Sequence, residues 1–155
     1  MLDRQILAVA GARCEQELRE RVGAFEREVS GIEEEMKATG MYYSSAAVWS
    51  LMAAIEAECH RRAKLIWEAL ARAVTGAGAA LDSDCAAQAK AWVAETLAEH
   101  DQDLREHLRE AGQLVEGLRR ITPLEAMEKD ALDRVNSEIA RACRRQSKDS
   151  GSGST

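Results

Sequence analysis

Residues 18–36 read LRERVGAFEREVSGIEEEM, and in this stretch Leu18, Val22, Phe25, Val29, Ile32 and Met36 recur at alternating steps of four and three. Alternating steps of that kind put every apolar side chain on one seam of a helix packed in coiled-coil fashion against a neighbour. Leu7, Gly11 and Cys14 extend the seam upstream with a four-step where a three-step is due, a stutter that relaxes the supercoil locally. The stretch therefore predicts one long amphipathic helix over residues 2–39, with Glu17 and Arg21, and Glu33 and Lys37, paired one turn apart on its polar side.

The same period continues along the chain. Val48, Met52, Ile55, Cys59, Ala63, Ile66, Leu70 and Val74 form a second seam over residues 45–74. Trp49, Leu51, Leu65 and Trp67 lie off it, so this helix is apolar on more than one face and is expected to be the most buried. Ser44 is its expected N-cap, with Tyr43 and Val48 spaced as a hydrophobic staple. A third seam over residues 83–120 runs through Val93, Leu97, His100, Leu104, His107, Ala111, Leu114, Leu118 and Ile121. Asp82 or Ser83 caps its start, and Arg119 and Arg120 suit the dipole at its end. Thr122-Pro123-Leu124-Glu125 reads as a capping box with proline at the first helical position, opening a fourth helix.

Composition agrees with this periodicity. The chain has 155 residues, of which 31% are charged and 46% hydrophobic, with a single proline and 4% aromatics. That is too charged for a membrane protein and too apolar for a disordered one, and it holds too little proline for a turn-rich β fold. No apolar run reaches the ~20 residues of a membrane span. The fold expected is all-α: four long antiparallel helices in an up-down-up-down bundle with coiled-coil-like seams, a single domain over residues 1–146. Residues 147–155, SKDSGSGST, read as a flexible Ser/Gly-rich linker-like tail. Cys14, Cys59, Cys85 and Cys143 match no CxxC pair and read as buried free thiols in a cytoplasmic protein. Met1–Cys14 does not read as a lipoprotein signal, because Asp3 offsets Arg4 and Arg13 precedes the cysteine where a small residue is needed.

The function classes narrow in the same way. A net charge of −6 speaks against a nucleic-acid partner, since phosphate is bound chiefly by Lys and Arg. No His has an acidic residue three positions before it, which excludes the di-iron bundle pattern, and no phosphate-binding loop or nucleophile elbow is present. No enzyme activity and no cofactor are therefore expected. His100 and His107, one heptad apart with Asp103 beside them, are the residues a metal- or cofactor-binding bundle would use. Polar seam residues that set register are the plainer reading, and an alternative seam through Leu108 and Val115 moves His107 to a flank.

The favoured function is a helical adaptor or assembly subunit working through helix–helix contacts with a protein partner or a second copy. Two surfaces are expected to carry it. One is the acidic run Glu33, Glu34 and Glu35 with the adjacent Tyr42 and Tyr43, where carboxylates sit at a helix end that prefers cations. The other follows from lengths: a fourth helix of roughly 36 Å stops short of first and third helices of about 55 Å. Ile6, Leu7, Trp67, Leu70, Val74, Leu81 and Trp92 would then line an uncovered apolar groove.

Overall fold

The structure, a computed structural model, describes residues 1–116 and 120–151. It is all-helical, with no strand among the described residues, and contains five helices: α1 (Arg4–Ala38), α2 (Ser45–Gly76), α3 (Ser83–Glu99), α4 (Gln102–Gln113) and α5 (Leu124–Gly151). No helix among the described residues is long and apolar enough to cross a membrane.

Local chemistry sets the ends. Asp3 accepts from the Gln5 amide at 2.7 Å, Ser44 from Ala47 at 3.3 Å and Asp82 from Cys85 at 3.0 Å, so three helices begin on a side-chain cap. Helices α1 and α2 both stop on a left-handed glycine. Gly40 has φ 73° and Gly78 φ 66°, and the following amides of Met41 and Ala79 reach back to Met36 and Val74. Those are Schellman closures, which need a residue without Cβ strain at that position.

Helix α2 is the centre of the packing and touches each of the other four. Val48, Ile55, Cys59, Ala63, Ile66, Leu70 and Val74 are fully buried on it, as its multi-faced apolar pattern requires. Leu18, Phe25 and Val29 of the α1 seam lie against it. Each such side chain removed from water contributes about 1.5–3 kcal/mol. Upstream of Leu18 the buried stripe is Ile6, Ala10 and Cys14, one position earlier than Leu7 and Gly11, both of which are half-buried.

The expected four-helix count is corrected to five. The chain breaks at His100 (φ −120°, ψ 29°) and Asp101 (φ −109°, ψ 4°) in the middle of what reads as one third helix. Glu99 to Asp103 is a polar run with two aspartates, residues that favour caps over helix interiors. Beyond the break, Leu104, Leu108 and Ala111 are buried, so the register follows the seam through Leu108 and His107 stands on the flank. Leu118 and Arg119 lie outside the described residues.

The fourth segment departs from expectation twice. Helix α5 opens with the Ala126 and Met127 amides on the Pro123 carbonyl, while Glu125 turns to Arg105 at 2.7 Å instead of closing a capping box. It also continues to Gly151, through the start of the expected flexible tail; residues 152–155 are outside the described part. At 28 residues it spans about 42 Å. Its Gln146 side chain accepts from the Leu81 amide in the α2–α3 connection.

Candidate functional site

Helix α2 carries Glu58 and Arg62, one turn apart, on its inward side, and both are fully buried. Buried charges are tolerated only when paired and hydrogen-bonded, and here the partners come both from α2 itself and from other segments. Arg62 donates through Nε to Glu58 at 3.1 Å, through Nη1 to the His100 carbonyl at 3.0 Å, and to both Asp103 oxygens at 2.8 Å. The His100 carbonyl is one that the end of α3 leaves without a helical partner, so the guanidinium fills the gap the break creates. Glu58 also receives Arg21 of α1 at 3.0 and 2.6 Å and Arg61 at 3.3 Å. One ion-pair system thus ties α1, α2 and the α3–α4 break together. Arg62 holds the Asp103 carboxyl below its ordinary range despite partial burial.

On the other side of the break lies a carboxyl pair. Asp101, almost fully buried, accepts from Arg105 at 3.0 and 3.2 Å. Glu128 of α5, 7% exposed, stands beside it, with Oε1 3.9 Å from the Arg105 guanidinium. Burial first, and then the neighbouring Asp101 carboxylate, push the Glu128 acid up to about 8. At neutral pH Glu128 therefore holds its proton. Cys59, next to this pair, is pushed up to about 12, by burial first and then by Glu128.

The sequence-derived candidates distribute differently from expectation. His100 closes α3 with Nδ1 on the Thr96 carbonyl at 2.9 Å. His107 contacts Glu26 at 2.7 Å and meets the Phe25 ring edge-on at 5.4 Å. Asp103 is taken by Arg62. The structure does not bring the three together: the His100 ring stays on the last turn of its own helix, while Asp103 and His107 tie α4 to α2 and α1. Among the described residues the set spaced for a metal is Glu56, His60 and Asp130, whose ligand atoms lie within 4.8 Å of one another. His60 meets Asp130 at 3.2 Å there and clamps α2 to α5, with both carboxylates exposed.

The residues expected to line a groove lie within the packed core or against it. Trp67, Leu70, Val74, Leu81 and Ile6 are buried, and Leu7 and Trp92 pack half-buried against the same core. The reason is the length of α5: its Glu138, Arg141, Ala142 and Arg145 face Trp67, covering the end a shorter helix leaves open.

The acidic run and the tyrosines do remain at the surface. Glu34 and Glu35 are exposed and Glu33 half-buried, at the C-terminal end of α1. Tyr42 and Tyr43 pack edge to face at 4.9 Å, with the Lys37 ammonium 4.6 Å from the Tyr42 ring centre. Burial and the nearby Glu33 raise the Tyr42 phenol above its ordinary range. Tyr43 is 77% exposed, so the expected staple to Val48 is not made; Met41 and Trp49 are exposed beside it. Trp49 escaped the sequence reading because nothing in the spacing separates an exposed apolar residue from a buried one on a helix apolar on several faces, and Met41 because it lies in the turn, outside any helical period.

Comparison of the chain with protein families, curated proteins and solved structures gives no match.

Proposed function

We propose that the protein is a non-enzymatic helical adaptor, and that it docks a basic protein segment on the turn between α1 and α2. In this reading the chain forms an up-down-up-down bundle in which α3 and α4 together make the third rod. The single observation that carries the reading is the clustering of Met41, Tyr43 and Trp49, exposed within nine residues of chain, beside Glu33, Glu34 and Glu35. Large exposed apolar side chains gathered in one place are unfavourable in a free protein and mark contact surfaces. Tyr and Trp are the residues that most often anchor such contacts. The carboxylates stand where the negative end of the α1 dipole opposes them, a local conflict that a cationic partner relieves.

A photo-crosslinking side chain placed at Tyr43 tests this in cells of the source organism. The expected result is one discrete protein adduct, lost on Trp49→Glu and on reversal of the three glutamates to lysine, with helix content unchanged. Absence of a discrete adduct, or an adduct indifferent to both changes, refutes the docking site.

A further inference from the structure

Glu56 and His60 follow one another by four residues on α2, so their side chains share one face. Asp130 of α5 stands against that face. One ligand atom from each of the three, two carboxylate oxygens and a ring nitrogen, lies within 4.8 Å of the other two. His60 Nε2 is already 3.2 Å from Asp130 Oδ2. The backbones that carry them are held from beneath: Cys59 beside His60 and Ala131 beside Asp130 are fully buried. The His60 ring is itself half-buried, while the two carboxylates are open to water.

Charge is unbalanced in this cluster. Two carboxylates within 4.8 Å of each other repel. Among the described residues no Lys or Arg pairs with either of them: Asp130 meets the His60 ring, and Glu56 makes no ion pair and no side-chain hydrogen bond. The next acid along α5, Asp133, is by contrast matched by Lys129 at 3.3 Å. The contact between His107 and Glu26 provides a second comparison. It joins the same two kinds of group at 2.7 Å, yet it belongs to no set of three. A divalent cation among Glu56, His60 and Asp130 would turn the repulsion into attraction on both sides.

We propose that Glu56, His60 and Asp130 bind one divalent transition-metal cation of the Zn²⁺ type, which joins α2 to α5. Imidazole nitrogen and carboxylate oxygen hold Zn²⁺ at about 2.0–2.2 Å, so ligand atoms around a tetrahedral centre stand about 3.4 Å apart. The 3.2 Å between His60 and Asp130 meets that spacing. The Glu56 carboxyl, exposed and without a partner to give up, closes the remainder by turning about its soft terminal torsion. Ligands four residues apart on one helix are the same arrangement that serves the HExxH zinc sites. One imidazole with two carboxylates suits Zn²⁺ better than Mg²⁺ or Ca²⁺, which take oxygen ligands, about six to eight of them for Ca²⁺. Three protein ligands leave the remaining position to water.

Calorimetric titration of the full chain with Zn²⁺, at neutral pH in a non-chelating buffer, tests this. The expected result is one Zn²⁺ per chain, with Mg²⁺ and Ca²⁺ binding far more weakly. Glu56→Gln and His60→Gln are each expected to weaken Zn²⁺ by at least about tenfold, since even a partner one shell further out is worth that much. His107→Gln, which breaks the two-group contact, keeps the wild-type affinity. Co²⁺ bound in place of Zn²⁺ shows no sulfur-to-metal charge-transfer band, because the four cysteines are buried away from the site. Circular dichroism checks that each variant is folded; if His60→Gln is not, Glu56→Gln decides, at an exposed position with no contact to lose. No saturable Zn²⁺ binding, Mg²⁺ or Ca²⁺ bound as tightly, a thiolate band, a folded Glu56→Gln or His60→Gln with wild-type affinity, or binding lost on His107→Gln overturns the proposal.

Discussion

Replacing Arg62 by methionine keeps most of the side-chain volume and removes the guanidinium. Four hydrogen bonds go with it: to Glu58, to the His100 carbonyl and two to Asp103. Glu58 is not left alone, because Arg21 and Arg61 still reach it. The orphans are Asp103, whose side chain is 16% exposed, and the His100 carbonyl. Breaking a buried pair from one side costs about 3–5 kcal/mol, and the partial access of Asp103 to water places this case near 3 kcal/mol. For a chain of this size each kcal/mol lowers Tm by about 2–4 °C, so a fall of roughly 6–12 °C is expected. Removing the second charge as well, Arg62→Met with Asp103→Leu, should recover much of the loss, since apolar residues of similar volume commonly replace a buried pair without penalty. Urea unfolding followed by far-ultraviolet circular dichroism measures both variants. A single variant within about 1 kcal/mol of wild type places the pair among solvent-screened bridges and refutes the reasoning. A double variant no more stable than the single one refutes the assignment of the cost to Asp103.

Glu128 has a native-state proton affinity raised from 4.5 to about 8. The folded protein thus binds a proton the unfolded chain does not, and this group's contribution, complete below 4.5, is lost as pH rises toward 8. Its share of the slope is about −1.4 kcal/mol per pH unit at most. Glu128→Leu is expected to flatten the stability–pH profile over that window; an unchanged profile in chemical denaturation contradicts the Asp101–Glu128 pair. Cys59 and Cys14, buried and pushed up to about 12 and about 11, are expected to resist iodoacetamide in the native protein and to react on unfolding; mass spectrometry showing ready native labelling of either contradicts their placement. Trp67, 6% exposed under α5, is expected to cost about 3–5 kcal/mol on change to alanine, measured as stability of the dilute protein; a folded variant altered only in self-association would return Trp67 to an open interface.

Periodicity made the helices legible because burial of an apolar stripe is a local rule: Leu18, Phe25, Val29, Ile55, Ile66 and Val93 are core residues wherever the helices go. Caps at Ser44 and Asp82 were legible for the same reason, since each bonds within its own first turn. The break at His100 was not, because a seam can run through a kink without losing step, and the kink is held by Arg62, 38 residues away. A signal for it was nonetheless present. Glu58 and Arg62 stand at helical spacing in line with Leu51, Ile55, Ile66 and Ala69, all of them core residues. An oppositely charged pair one turn apart on an apolar stripe must either reach solvent or find buried partners from elsewhere, and polar residues that interrupt a long helical pattern, such as Glu99 to Asp103, are where such partners come from. The two halves of the system are silent separately. Asp103 alone reads as a surface charge and Arg62 alone as one of two adjacent arginines. Only the demand that no buried charge go unpaired joins them.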